Sequence, residues 1–129
     1  MATITKFEDL EIWQLARQQA NDIYILYNKE PFNKDFELRN QINSAGGSVM
    51  DNIAEGFDRS GNKEFSNFLI IAKGSNAETR SQLYRAFDRN YISANIFNEI
   101  RLKNEILGSK IMSFIKYLKS SEFKGQRYK

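Results

Sequence analysis

The stretch Asn52-Ile53-Ala54-Glu55-Gly56-Phe57 separates two apolar patterns of helical period and decides the fold. The recurring positions before it are Leu38, Ile42, Ala45, Val49 and Ile53, and those after it are Phe65, Phe68, Leu69, Ala72, Ser75, Thr79, Leu83 and Phe87. Steps of three or four residues place each series on one face of an α-helix. Residues 56–62 contain two glycines and several cap-type residues, which predicts a turn. The sequence therefore predicts a long antiparallel helical hairpin.

Two further helices flank this hairpin. The same helical period predicts four helices at about residues 8–28, 33–57, 62–89 and 93–120. Glu8 and Asp9 suit the positive start of the first helix, and Pro31 stops its continuation. Residues 122–129 are expected to be mobile. Because the connections are short, the expected fold is all-α: an up-down-up-down antiparallel four-helix bundle in a single domain, residues 1–129.

Small residues are predicted to share one level of this bundle. Alignment about the three turns places Ala16, Gly46, Ser75 and Gly108 halfway along it. One interpretation is a narrow waist with close backbone approach. The other is a small pocket lined also by Glu78 and Asn104.

The composition excludes most catalytic chemistry. The chain has no histidine and no cysteine, which removes catalytic triads and nearly all zinc, copper and haem sites. No catalytic residue, cofactor or metal site is therefore predicted, and an enzyme is not expected. No apolar run reaches the roughly 18 residues of a membrane span. A cytoplasmic protein without a secretory signal or membrane segment is expected.

The basic residues are unevenly distributed. Residues 116–129 hold five basic residues and one acid, Glu122, which gives +4 there and leaves −1 for residues 1–115. The candidate nucleic-acid-binding residues are Arg80, Arg85 and Arg89 on the third helix and Lys116, Lys119, Lys124, Arg127 and Lys129 toward the end. The alternative is a solvated surface whose charges complement helix dipoles. No base-reading motif is present, so any binding is expected to involve backbone and shape.

Seventeen aromatic residues exceed what a thin bundle core needs. The predicted core positions are Trp13, Phe65, Phe68, Phe87, Phe97 and Phe114. The predicted edge positions are Tyr24, Tyr27, Phe57, Tyr84 and Tyr117. A seam between copies of the chain is the preferred interpretation of the edge set, and base stacking is the alternative.

Two motifs resemble a known family. They are Asn52-Ile-Ala-Glu-Gly56, followed by Arg59 and Lys63-Glu64-Phe65, and Ala72-Lys-Gly-Ser-Asn-Ala-Glu78. Phe7-Glu-Asp-Leu10, Trp13-Gln14, Gln41-Ile42, Ala45 and Tyr91-Ile92 extend the likeness over nearly the whole chain. The chain resembles the bacterial four-helix-bundle proteins encoded in intervening sequences of large-subunit ribosomal RNA genes. That family is similar to the accessory variability determinant of diversity-generating retroelements.

The resemblance implies a ring, typically a homopentamer, and no enzyme. It points to association with RNA or with a nucleic-acid enzyme. The motif residues carried over to this chain are Asn52, Glu55, Gly56, Arg59, Ser75 and Glu78. Relatives usually carry larger residues in place of Gly46-Gly47, so the second helix is expected to be bent or loosened there.

The motif residues also have local interpretations. Asn52 and Glu55 are predicted to secure the turn through Arg59, Lys63 or backbone amides, and an intersubunit contact is the alternative. Glu55 and Glu78 lie roughly 13 Å apart along the bundle axis, too far for a two-carboxylate site. Gly74-Ser75 lacks the strand and the Gly-Lys-Ser/Thr ending of a phosphate loop.

These patterns predict a non-enzymatic, ring-forming helical-bundle protein. Its expected partners are other copies of itself, RNA or DNA, and an RNA-handling protein, with no membrane contact. Repetition of weakly basic surfaces around a ring would make nucleic-acid binding salt-sensitive. The alternative is an oligomeric protein-interaction scaffold that makes no nucleic-acid contact.

Overall fold

The protein is an all-helical bundle in a computed structural model that describes residues 3–59 and 61–121. Its long helices are α1 (Glu11–Tyr27), α2 (Phe36–Asp58), α3 (Asn62–Asp88) and α4 (Ala94–Ser121). Two short 3₁₀ helices, Phe7–Asp9 and Phe32–Lys34, precede α1 and α2. No strand occurs in either described range. The predicted four-helix bundle is confirmed.

Neighbouring helices run in opposite directions. Arg89, directly after α3, pairs with Asp35, directly before α2, at 2.8 Å. Lys110 in α4 pairs with Glu11 at the start of α1 at 3.3 Å. The first contact joins the end of α3 to the beginning of α2, and the second joins the beginning of α1 to the second half of α4, as expected of an antiparallel bundle.

The first helix starts later than Glu8 or Asp9, because both lie in a 3₁₀ turn. Leu10 then has an extended backbone, with φ −75° and ψ 128°, and its side chain is 1% exposed. The Phe7 ring contacts Trp13 edge-on, with 5.1 Å between ring centroids. The segment therefore folds against the bundle instead of extending α1.

The second helix starts at a side-chain cap. A carboxylate oxygen of Asp35 accepts a hydrogen bond from the backbone N–H of Leu38 at 3.2 Å, as an N-cap residue does. α2 then continues through Gly46-Gly47 without a break. The expected loosening at this pair is therefore not seen in the helical assignment.

The hydrophobic core consists of two clusters. One surrounds Ile12, Ile53 and Phe65, and the other surrounds Ile23 and Leu83. Between the clusters, buried polar residues interrupt the apolar series: Gln19 on α1, Ser75, Asn76 and Thr79 on α3, and Asn104 on α4. The middle of the bundle is therefore a polar layer.

The close backbone contact predicted for the waist is wrong at Gly46. A Cβ atom added there would have no atom within 4 Å, and one added at Gly108 would meet a side-chain atom, Asn76 Nδ2, at 3.2 Å. A side-chain amide therefore occupies the space beside Gly108. The tight contact between α2 and α3 lies at Gly56, where an added Cβ would be 2.6 Å from Phe68 Cβ. Gly61, with φ 95°, occupies the turn itself.

Two of the predicted edge aromatics are core residues. Tyr27 is 7% exposed and Phe57 is 6% exposed. The Tyr27 hydroxyl donates to Asn43 Oδ1 at 2.9 Å, and the Phe57 ring packs edge-on against Phe65. Their position at helix ends does not expose them, because neighbouring aromatic rings cover both.

The other aromatic residues divide as follows. Tyr24, Tyr84 and Tyr117 are exposed; Phe65 and Phe97 are buried; Trp13, Phe68, Phe87 and Phe114 are half-buried.

None of the helices in residues 3–59 and 61–121 combines the length and the apolar character that a membrane span needs.

Candidate functional site

Residues of the two motifs meet on the α2–α3 interface through Ser48. The hydroxyl oxygens of Ser48 and Ser75 are hydrogen bonded at 2.9 Å. Asn52 Nδ2 donates to Ser48 Oγ at 2.9 Å and to the Ser48 carbonyl oxygen at 2.8 Å. The amide of Asn52 is therefore directed one helical turn back along α2, and it does not secure the α2–α3 turn. We call Ser48, Asn52 and Ser75 the motif strip.

The motif strip borders an open groove between α2 and α3. The groove has a volume of about 680 Å³, and its lining residues are Asn40, Gln41, Ser44, Ala45, Ser48, Ser75, Glu78, Gln82 and Arg85. Gln82 Oε1 is buried there without a hydrogen-bond partner. Hydroxyl and amide groups dominate this lining, with one acid and one base. The groove is therefore suited to hydrogen bonding with a polar partner.

Glu78 and Asn104 do not line a common pocket, so that prediction is wrong. Glu78 is exposed at the α2–α3 groove, whereas Asn104 is fully buried. The Asn104 side chain contacts Gln19 and Asn76, on the other side of α3. One helix thus separates the two groups.

A charged cluster lies at the α2–α3 turn. Arg59 Nη2 pairs with Glu55 Oε2 at 2.8 Å, and Arg59 Nη1 lies 3.8 Å from Glu64 Oε2. The hydrogen bond to Glu55 raises the pKa of Arg59. The guanidinium also lies over the Phe68 ring, 5.1 Å from its centroid. Since all three charged groups are solvent-exposed, the cluster holds the turn by local contacts and lacks the desolvated setting of a catalytic carboxylate.

The most extensive buried hydrogen-bond network joins α1, α3 and α4. We call Gln19, Asn76 and Asn104 the amide triad; all three are at most 5% exposed. Asn104 Nδ2 donates to Gln19 Oε1 at 2.7 Å, and Gln19 Nε2 donates to Asn76 Oδ1 at 3.1 Å. Arg80 Nη1 donates to Asn104 Oδ1 at 3.2 Å. The triad thus connects three helices and holds the Arg80 guanidinium at its edge.

Arg80 and Arg85 of α3 and Arg89, directly after it, have different partners and do not form one patch. Arg80 contacts the amide triad, whereas Arg85 Nη1 donates to Gln41 Oε1 in the α2–α3 groove at 2.9 Å. Arg89 pairs with Asp35 at the end of the bundle. The structure therefore separates residues that are grouped on the sequence.

Asp35 is the centre of a polar cluster at that end. Its Oδ2 accepts hydrogen bonds from the Tyr91 hydroxyl and from Arg89 Nη1, each at 2.8 Å. The hydrogen bond from Tyr91, followed by that from the Leu38 N–H, lowers the pKa of Asp35. The same bond raises the pKa of Tyr91, because it stabilises the protonated hydroxyl. This cluster connects the start of α2 to the α3–α4 turn.

Lys116 and Lys119 are exposed on the last turns of α4. Neither forms an ion pair with another described residue. The other three basic residues predicted for this region, Lys124, Arg127 and Lys129, lie outside the described residues, as does the segment expected to be mobile. Across residues 3–59 and 61–121, no three acidic side chains converge as metal ligands would.

Ser48, Gln19 and Asn76 were not among the predicted site residues. Gln19 has a detectable signal, because it continues the apolar spacing of Ile12, Ala16 and Ile23. A polar residue at such a position predicts a buried hydrogen bond. Ser48 is four residues before Asn52, a spacing that places both on one helix face.

The comparisons with known proteins agree with this architecture. The sequence model of the 23S rRNA-intervening sequence protein family matches residues 8–113. A crystal structure of a protein of unknown function from the S23 ribosomal protein family of Bacteroides thetaiotaomicron superposes with a TM-score of 0.74 and 25% sequence identity. The superposition covers 81% of this chain and 98% of that chain.

No curated protein sequence matches the chain. The family match nevertheless includes both motifs, the amide triad and most of all four long helices. The chain belongs to the 23S rRNA-intervening sequence protein family.

Proposed function

We propose that the protein is a non-catalytic, ring-forming accessory protein of the cytoplasm that associates with RNA or with an RNA-handling partner. The family to which it belongs is named for its place in ribosomal RNA genes. The absence of histidine and cysteine from the sequence supports a role in binding rather than in acid–base or covalent catalysis.

The observation that carries this proposal is the unpaired basic end of α4. Lys116 and Lys119 are exposed without an acidic partner among the described residues, and Lys124, Arg127 and Lys129 follow them in the sequence. The rest of the chain is close to neutral. A basic segment on a neutral body attracts phosphates by long-range electrostatics and releases counterions on binding.

Assembly would multiply this charge. A ring of five copies, as the family resemblance implies, would bring five such segments, each with a net charge of +4, into one assembly. Each segment alone would bind weakly, but several segments on one ring would bind one RNA with a high effective concentration. The exposed tyrosines Tyr24, Tyr84 and Tyr117 would supply aromatic side chains to the seam between copies of the chain.

A protein-interaction scaffold is the second candidate. The observation that favours it is the apolar surface: Ile25, Phe36, Ile70, Ile71, Leu102 and Ile106 are each between 45% and 63% exposed. Apolar side chains in contiguous surface patches are typical of protein interfaces. In this alternative, the basic segment provides solubility and the apolar faces bind a protein.

Solution mass by light scattering tests both proposals. It would be measured at low and high salt, with and without total RNA. A mass near five times 15.0 kDa that increases with RNA only at low salt would support the nucleic-acid proposal. An oligomer of constant mass would favour the scaffold. A stable monomer would exclude the ring.

A further inference from the structure

A cleft between α3 and α4 is distinct from the α2–α3 groove and carries a different charge. Its volume is about 380 Å³. Lys73 and Arg80 line it from α3, and Glu105, Gly108 and Ser109 line it from α4. Since Gly108 has no side chain, the cleft reaches down to the buried side-chain amide of Asn76 on α3.

The cleft has two cations without acidic partners. Arg80 contacts only the neutral amide oxygen of Asn104, and neither Arg80 nor Lys73 pairs with an acid in the described ranges. The one acid, Glu105, already pairs with Arg101 at 2.7 Å. The positive charge of the cleft is therefore uncompensated. Arg80 is half-buried, and partial removal from water strengthens the attraction of its guanidinium for an anion.

The amide triad fixes the position of Arg80. Asn104 Oδ1 accepts from Arg80, while Asn104 Nδ2 donates to Gln19 and to Asn76 and so cannot turn away. The guanidinium retains further N–H donors, which suit the oxygens of a phosphate. An arginine held in place by a buried network loses less conformational entropy on binding than a free one.

We propose that this cleft binds the phosphates of one strand, with Arg80 as the anchor of one phosphate, Lys73 as the cation for another and the Ser109 hydroxyl as a neutral donor. The inference rests on the proposed function and deepens it, because the phosphate is assigned to the backbone of RNA. Lys73 and Arg80 are seven residues, or about 10 Å, apart along α3. Such a spacing lets the two cations contact different phosphates of one strand.

The first test removes the acid of the cleft. Affinity for a fluorescent 20-nucleotide single-stranded RNA is measured by anisotropy for Glu105→Gln and for Glu99→Gln. Each acid pairs with a basic residue of α4, Glu105 with Arg101 and Glu99 with Lys103 at 3.6 Å. Each change removes one negative charge and so raises the net charge by one. Glu105→Gln is expected to tighten binding by roughly two- to fivefold more than Glu99→Gln. Equal effects would mean that only net charge matters and would overturn the proposal.

The second test removes the cations. The slope of log affinity against log salt is expected to fall by about 0.7 for each lost phosphate contact in Lys73→Gln and in Arg80→Gln. Arg80→Lys retains the charge and should retain the slope, which separates the charge from any effect on folding. Lys63→Gln, an exposed control on α3, should leave the slope unchanged. A wild-type slope in both Gln variants would exclude the cleft.

The third measurement separates this inference from the proposed function. Inorganic phosphate and pyrophosphate are titrated into the wild-type protein, and the NMR signal of the Arg80 side chain is followed. Shifts with these anions in a protein that does not bind RNA would support a small-phosphate site and overturn the assignment to RNA. RNA binding without any response of Arg80 would leave the proposed function standing and overturn the cleft.

Discussion

Asn76 and Asn104 each donate their side-chain amide to the backbone carbonyl of the other, at 3.0 and 3.1 Å across the α3–α4 interface. This reciprocal pair fixes the two helices at one register, because a shift of either helix would break both bonds. Gln19 extends the pair to α1. A satisfied buried network of this kind specifies one arrangement of the core more strictly than apolar packing does.

Asn104→Leu is predicted to lower the free energy of unfolding by about 1–3 kcal/mol, because Gln19 Oε1 loses its donor while remaining buried. Urea unfolding at one fixed protein concentration measures this, since assembly contributes to stability. Asn98→Leu, at an exposed position on the same helix, is the control and should stay within about 0.5 kcal/mol of wild type.

Replacing all three amides of the triad with Leu gives the complementary result. The triple variant leaves no orphaned partner within the triad and should regain part of the stability lost in Asn104→Leu. A single variant as stable as wild type would show that the network contributes nothing to the fold.

Gly56→Ala is predicted to destabilise the bundle even though alanine favours helices. The added methyl group would lie 2.6 Å from Phe68 Cβ, so α2 and α3 would have to separate. Overpacking of this kind typically costs about 1–3 kcal/mol, against about 1 kcal/mol gained from helix propensity. Gly74→Ala, where an added Cβ has nothing within 4 Å, is the matched control and should be stabilising. Thermal unfolding midpoints of both variants, relative to wild type, measure the two effects. Equal shifts of the midpoint would contradict the packing argument.

The helices could be predicted from the sequence because apolar residues recur at helical spacing along most of each one. The register predicted for α2 against α3 is also close to the observed one. The sequence alignment sets Gly46 level with Ser75, and the observed hydrogen bond joins Ser75 to Ser48, which is two residues from Gly46. The amide triad could not be predicted in the same way. Three helices, α1, α3 and α4, each contribute one residue to it, and only the assembled bundle brings the three together.

The errors at Tyr27 and Phe57 have a similar cause. A position near a helix end suggests exposure, but Phe32 and Phe65 cover these two rings in the folded chain. The candidate phosphate cleft depends on the orientation of Arg80, which Asn104 sets from another helix. The local spacing of residues in the sequence does not predict contacts between residues this far apart.

Asp35→Asn is predicted to weaken the dependence of stability on acid pH. The pKa of Asp35 is lowered in the folded protein, so its carboxylate stabilises the fold above the unfolded pKa near 3.8 and loses this effect as pH falls through the lower folded value. Asn can still cap α2, so the variant removes mainly the charge. Unfolding midpoints between pH 2 and pH 7 measure the difference. Asp88→Asn, at an exposed position, is the control for the loss of one acidic side chain. Identical profiles for wild type and Asp35→Asn would reject the assignment.

Leu102→Gln combined with Ile106→Gln is predicted to reduce the solution mass without loss of helical content. The two residues lie four apart on α4, are 54% and 45% exposed, and share one face. If that face packs in the ring, polar side chains there weaken the seam. Phe36→Gln, at a 63% exposed site in the first turn of α2, is the control for general surface polarity. An unchanged mass would place the seam elsewhere.

Replacing Lys116, Lys119, Lys124, Arg127 and Lys129 with Gln is predicted to abolish salt-dependent retention on RNA. Removal of five positive charges per chain should weaken binding at low salt by at least about tenfold, because each phosphate contact contributes to counterion release. The matched control removes five charges elsewhere: Lys6, Lys29, Lys34, Lys63 and Lys103. Light scattering must show the same assembly in both variants before their retention is compared. Equal losses would show that net charge alone attracts RNA, and retention of the first variant would exclude the end of α4 as the binding surface. Because the cleft at Arg80 is intact in this variant, any residual binding should still respond to Glu105→Gln.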